Sequence, residues 1–338
     1  MTTILFLLGR RLLTAIPILL TVSVLLFVAL RLLPVDPAAM SMPPNATTED
    51  IEAKRREMGL DKPLPAQYAI WLRGAVHGDF GKSIQLRRDA SQLVATSLPA
   101  TVQLALCAML IAGTLGIGGG LLLFHLRGGP AETIGDLGTT VLLSVPEFLW
   151  ALLFILLFGV LVPMLPFIGQ LGPQFSVASV TGFLLLDSFL AGQPDAFISA
   201  LAHLVLPAAA LGFAFSPAIM RVLRSSLLDV YHEDYIRQVR LRGIGEWRIL
   251  VVHALPNAAL PTLTLMGVQF GFLFGGTLLV EIIYSFPGLG NLMVDAVRNA
   301  DLPIIQLVGL AYCVVVLIIN TVVDSLYLLL NPKLRLRS

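Results

Sequence analysis

Apolar residues gather along this chain in runs of about twenty or more, separated by shorter polar stretches. Roughly 20 apolar residues cross the hydrocarbon core of a bilayer as a helix. On that measure the runs predict six spanning helices, at about residues 10–32, 99–124, 137–161, 202–222, 259–283 and 304–330. The polar stretch 33–98 predicts a small folded segment: Thr48-Glu49-Asp50 reads as a helix start, Gly59 as a stop, and Pro65 to Val76 as a second short helix.

Composition turns the pattern into a class. Of 338 residues, 57% are hydrophobic and only 13% charged, which is outside the range of a soluble globular chain. The expected fold is an all-α polytopic membrane protein with the lipid bilayer as its main partner. A formal net charge of +1 offers no general attraction for a polyanion, so nucleic acid is not an expected partner. The first run, Leu12 to Leu33, is long enough to span and is followed by no small-residue cleavage pattern, so no cleavable signal peptide is expected. Cys107 and Cys313 lie in apolar runs and read as buried thiols.

Charge then orients the helices. The stretch 162–200 has no Lys or Arg and 284–303 has only Arg298, whereas 223–258 carries Arg224, Arg237, Arg240, Arg242 and Arg248. The positive-inside rule places 223–258 and both termini in the cytoplasm, and Lys333, Arg335 and Arg337 agree. Residues 33–98 are then periplasmic although they are rich in Lys and Arg; long loops translocate largely regardless of charge. The chain divides into a cytoplasmic N-terminus with helix 1 (1–32), a periplasmic segment (33–98), a core of helices 2 to 6 (99–330) and a cytoplasmic tail (331–338).

The cytoplasmic stretch 228–257 is too polar to span and too patterned for a slack linker. Tyr231, Tyr235 and Val239 recur every four residues, with Leu228 on the same stripe, while Glu233, Arg237 and Arg240 point elsewhere, which predicts an amphipathic helix. Gly243-Ile244-Gly245 ends it, and Glu246 opens a second short helix toward His253 and Pro256. Two readings follow: a surface helix packed on its own bundle, or a docking element whose aromatic stripe enters a groove on a cytoplasmic partner.

Ionisable groups at membrane depth are costly, which marks Glu147, Glu281 and Asp324. Glu147 lies about 11 residues past Asp136, roughly 16 Å along a straight helix and near the midplane. Pro146 before it would break the helix and free carbonyls to line a path. Glu147 reads either as a carboxylate facing the pathway, attracting a peptide amine or a metal cation, or as a structural hydrogen bond or ion pair with a partner subunit.

Other chemistry is thinly represented. His77, His125, His203, His232 and His253 have no ligand-like spacing, so no metal site is expected. Gly81-Lys82-Ser83 resembles the tail of a phosphate-binding loop, but the Gly required at position 76 is Val. Asn45-Ala46-Thr47 matches a glycosylation acceptor, a short and common pattern. An intramembrane serine protease would need a Ser with a His at helical spacing, and a secondary transporter an internal repeat; neither is visible.

The stretch around Gly243 resembles the cytoplasmic signature loop of ABC importer permeases: after nine intervening residues comes His253-Ala254-Leu255-Pro256. Within that family it is most similar to the B-type permeases of the dipeptide, oligopeptide and nickel importers. Asp234-Tyr235-Ile236-Arg237-Gln238-Val239-Arg240-Leu241-Arg242-Gly243 carries that likeness, with Gln238, Val239 and Leu241 where Thr, Ala and Ala are usual. The resemblance extends over Arg10-Arg11, Arg31 to Pro37 (Val35 replacing Gly), Gly78-Asp79-Phe80-Gly81-Lys82-Ser83 and His203 to Pro207. It continues through Arg221 to Ser225, Glu281 to Gly290, Asp301-x-Pro303, Asp324 and Asn331 to Arg335, where Asn331 replaces Asp.

The resemblance implies a non-catalytic subunit that binds no cofactor itself, ATP and Mg being used by two cytoplasmic ATPase subunits. A homologous second permease and a periplasmic substrate-binding protein would complete the complex in the bacterial inner membrane. Tyr231, Glu233, Asp234, Tyr235, Val239, Arg240, Gly243, His253 and Pro256 would couple to the ATPase. Glu147, Pro146, Glu281 and Asp324 would serve the translocation path or its gate, Glu281 near the outer face. Di- or oligopeptides are the expected cargo, with nickel or another small solute such as glutathione as alternatives.

Overall fold

The computed structural model describes residues 2–32, 34, 36–43 and 45–330; the tail 331–338 lies outside the described residues. Every regular element among them is helical, apart from one antiparallel bridge between Lys82 and Asp89. Among the described residues five helices are long and apolar enough to cross a membrane, and a bent pair makes a sixth span if taken as one.

The first long helix, α1 (Thr2–Arg31), is followed by α2 (Pro37–Ser41), α3 (Thr48–Glu57) and α4 (Leu64–Val76). The expected helix start is a capping box: the Thr47 hydroxyl accepts from Asp50 N, and the Asp50 carboxylate accepts from Thr47 N. Gly59, with φ of +68°, follows where α3 ends. The segment leans back on the end of α1, where Phe27 meets Tyr68 edge-on at 5.4 Å and Ser23 shares a 2.8 Å hydrogen bond with Tyr68.

Helices α5 (Ala90–His125) and α9 (Pro194–Tyr231) form the central pair. Both extend beyond the expected 99–124 and 202–222: α5 begins nine residues earlier with Pro99 inside continuous helix, and α9 adds turns at both ends and runs unbroken through Pro207 and Pro217. Gly116 and Gly212 make the approach possible, since a Cβ on either would run into Ile219 or Ile111 of the opposite helix. Between the pair lie α6 (Pro130–Ser144), α7 (Glu147–Phe154), which runs on as a π-turn to Leu161, and the short α8 (Leu184–Leu190).

The expected third helix is therefore two pieces. It bends by 97° at Val145-Pro146, where Pro146 takes an extended backbone. That corrects the depth assigned to Glu147, because rise per residue does not accumulate across a right-angled break.

After α9 come α10 (Asp234–Leu241) and the single turn α11 (Glu246–Arg248), which continues as a π-turn over Ile249–Ala254 into α12 (Leu255–Ile283). The second short helix expected in the loop is thus the start of the fifth span, Glu246–Ile283. Pro256 has no N–H to donate and its ring crowds the preceding turn, which the wider π-turn accommodates. The fold closes with α13 (Leu289–Arg298) and α14 (Leu302–Leu330).

Cys107 and Cys313 are unlinked and half-buried rather than buried.

Candidate functional site

The loop after α9 folds against its own chain. Ile236 is fully buried in a cluster with Phe124, Leu223, Leu227, Ile249 and Leu250, and Tyr231, Tyr235 and Val239 pack against that cluster. The expected stripe is split: Tyr231 ends α9, Tyr235 begins α10, and both face inward. Its apolar side chains are therefore committed internally, which corrects the idea that the stripe itself enters a partner's groove. Tyr231 meets Phe124 edge-on at 4.6 Å, and the Arg127 guanidinium lies 3.9 Å over Phe124 and 5.2 Å from Tyr231.

Polar bonds lock the bracket. The Tyr235 hydroxyl donates to His253 O at 3.2 Å, and Asn257 Nδ2 donates to the Tyr235 hydroxyl at 2.8 Å and to His253 O at 3.1 Å. Arg240 forks onto Glu246, with Nε to Oε1 at 2.5 Å and Nη2 to Oε2 at 3.2 Å. That hydrogen bond pushes the Arg240 guanidinium further up from its ordinary value. Gly243, at φ of +76°, donates to Arg240 O at 3.0 Å and turns the chain with the left-handed backbone that glycine tolerates. Glu233, Asp234, Arg237, Gln238 and Pro256 are exposed, as are Leu241 at 81% and Trp247 at 73%.

A cavity of about 460 Å³ opens beside this bracket, lined by His125, Arg127, Tyr231, Arg240, Glu246 and Trp247 among others. Farther along α9, Arg224 pairs with both Glu132 and Asp136 of α6, and Arg221 donates to Thr140 at 2.8 Å. This coupling of α6 to the helix that carries the loop was not foreseen from sequence.

Glu147 is the first residue of α7 and half-buried. Its Oε1 lies 3.4 Å from where a Cβ on Gly276 of α12 would sit, with Leu211 and Phe215 of α9 beside it. Glu147 makes no hydrogen bond or ion pair among the described residues.

Glu281 has the opposite setting. It is fully buried at the end of α12, and its Oε2 accepts from Gly290 N at 2.7 Å and Asn291 N at 3.3 Å at the start of α13. Thr101 of α5 accepts from Leu289 N at 2.7 Å. A Cβ on Gly288 would collide with the Glu281 carboxylate. Glu281 thus holds α13 in place from inside the chain and presents no surface to a second subunit. Asp324 is on α14, and its side chain lies outside the described residues.

Two motifs noted separately in the sequence meet here. The Ser83 hydroxyl donates to buried Asp301, whose Oδ2 also accepts from Gln85 N at 3.3 Å, and Gly81 packs by Pro303. The ring nitrogens of His77, His203 and His232 each lie within 2.8 Å of a carbonyl four residues earlier. No group of three or more His, Cys, Asp or Glu that could hold a metal ion occurs among the described residues.

Comparison with known proteins agrees with this architecture. The family described as binding-protein-dependent transport system inner membrane component matches residues 112–336, and its N-terminal companion matches residues 3–105. The di/tripeptide transport system permease protein DppB of Pseudomonas aeruginosa is 38% identical over 332 residues, covering 97% of this chain and 98% of that protein. The dipeptide permease DppB of Escherichia coli K12 is 36% identical, covering 96% and 97%. The glutathione transport system permease protein GsiC of Pectobacterium atrosepticum is 36% identical with the same coverage. Among solved structures, an inward-facing conformation of the MetNI methionine ABC transporter superposes with a TM-score of 0.54 at 17% identity, over 71% of this chain and 97% of that one. The chain belongs to the family of binding-protein-dependent inner-membrane components, and is a non-catalytic permease subunit of an ABC importer.

Proposed function

We propose that this permease forms half of a transmembrane path for short peptides, beside a homologous second permease, over two ATPase subunits and under a periplasmic binding protein. Relatives named for dipeptide, di/tripeptide and glutathione transport support the cargo class, glutathione being itself a tripeptide. On this reading both termini and the loop 223–258 are cytoplasmic, 33–98 is periplasmic, and 99–330 is the permease core.

The observation that carries the coupling role is the bracket's placement. It joins α9 directly to α12, so a displacement of α10 is transmitted to two spans through Tyr235, His253 and Asn257. The docking face is then the exposed side bearing Arg237, Gln238, Leu241 and Trp247, with Tyr231, Val239, Arg240 and Gly243 holding its shape. Glu147 is the path carboxylate: a bare carboxylate among apolar helices is stable only against water or a cationic partner. Pro146 creates the bend that presents it, and Glu281 fixes the seat of α13 beside the path.

The test is accumulation of a radiolabelled dipeptide by cells lacking the gene and complemented with variants. Wild type restores uptake; Leu241→Asp with Trp247→Asp abolishes it and releases the ATPase during purification. Full uptake with the ATPase retained would rule out this docking face, and complemented cells that take up nickel but no peptide would rule out the cargo.

A further inference from the structure

The end of α1 carries a feature separate from the cytoplasmic bracket and from Glu147. Arg31 lines a cavity of about 300 Å³ closed by the segment that follows, with Asp36, Arg55, Leu60, Leu64 and Gln67 around it. Asp36 and Arg55 neutralise one another at 2.6 Å. Arg31 has no such counter-charge: its guanidinium stacks 5.1 Å over Phe27, has no hydrogen-bond or ion-pair partner among the described residues, and leaves Nε buried and unbonded. Arg55 also reaches Glu52 at 3.7 Å, so both nearby carboxylates are taken up by Arg55 and Arg31 is left as the cavity's cation without one among the described residues. Gln67 spends its amide N–H groups on Leu60 O and Lys62 O, and its Oε1 is also without a partner among the described residues.

The surface below identifies the occupant. Leu13, Leu20, Val24 and Val28 are exposed, and at 100° per residue they share the side of α1 that ends at Arg31. Leu13 to Arg31 is 19 residues, about 27 Å of helix, close to the thickness of the hydrocarbon core. Arg31 accordingly stands at phosphate level, and the half of the stripe nearest it, Leu20, Val24 and Val28, covers about 16 Å, the depth of the one leaflet that an acyl chain fills.

We propose that this cavity is a phospholipid headgroup site, in which Arg31 holds the phosphate while one acyl chain follows the stripe on α1. The unpartnered Gln67 oxygen calls for a hydrogen-bond donor beside the phosphate. Ethanolamine and glycerol headgroups carry one; choline, a quaternary ammonium, does not. The site depends on neither cargo nor ATPase, and its test is separate from theirs.

Native mass spectrometry of the full-length chain, equilibrated with equal amounts of phosphatidylethanolamine, phosphatidylglycerol and phosphatidylcholine, reads it directly. The unaltered chain should keep one ethanolamine or glycerol lipid about tenfold over the choline lipid, and Arg31→Gln should lose that lipid while Arg31→Lys keeps part of it. Equal retention of the choline lipid, or unchanged retention in Arg31→Gln, would overturn the site. If Arg31→Gln does not fold, headgroup competition on the unaltered chain still decides.

Discussion

Glu281 and Glu147 are the same residue type, both set against α12 glycines or the loop beyond it, yet their surroundings are opposite. Glu281 is sealed: two backbone N–H groups of α13 reach its Oε2, and Gly288 and Gly290 crowd it so closely that no side chain fits between. Glu147 is open, beginning a helix at a right-angled bend and facing Gly276 across a gap with nothing bonded to it. The helix N-terminus favours negative charge in both cases, but only at Glu281 is the helix another element. A sealed carboxylate holds two parts of a chain together; an open one is available to something that passes.

The largest effect should come from unsealing Glu281. Glu281→Ala leaves the Gly290 and Asn291 N–H groups buried without an acceptor and opens a cavity, at a cost of about 3–5 kcal/mol. Thermal unfolding of the purified protein in detergent measures it. Gly290→Ala should act the same way from the other side, because its Cβ would meet the Leu278 backbone. Wild-type stability in both variants would mean that the seal is not structural.

Glu147→Gln should reverse the pattern. With no partner to lose, stability should change by less than about 1 kcal/mol, while peptide uptake falls several-fold and the ATPase still co-purifies. A fall in stability like that of Glu281→Ala would place Glu147 in a structural ion pair with the second permease and erase the contrast; unchanged uptake would remove it from the path.

How much of this was legible beforehand depended on whether a feature was local. The spans followed from apolar run length, and the helix start at Thr48-Glu49-Asp50 and the stop at Gly243 from residue type, because each depends on neighbours in sequence. The helix through Pro207 and Pro217 was legible in the same way, but the extension of α5 back through Pro99 was not, since a proline inside a packed helix differs from Pro146 only in what surrounds it. The stripe Tyr231, Tyr235 and Val239 was visible, but the break at His232-Glu233 and the inward direction were not; a period marks an apolar face without saying what covers it. Ser83 with Asp301, and Arg224 with Glu132 and Asp136, join residues far apart in sequence. Only the resemblance of both Gly78 to Ser83 and Asp301-x-Pro303 to one family hinted at the first pair.

Asp36 supplies an intermediate case, partnered but wet, and the smallest effect. Arg55 holds its carboxyl below the usual carboxylate range, chiefly through their hydrogen bond, and both side chains remain about a third or more exposed. A depressed folded-state pKa stabilises the folded form above the unfolded value, about 3.9, and that contribution disappears as pH falls through the lower folded value. Arg55→Ala should therefore lower the unfolding temperature by only about a degree at pH 7, and the difference from wild type should shrink steadily as pH falls below the unfolded value. A difference that does not shrink under acid would show that Arg55 acts through packing rather than through Asp36 and its weaker partner Glu52. Solvent would then have screened this pair completely, and a carboxylate here would need sealing as complete as that of Glu281 to hold its segment in place.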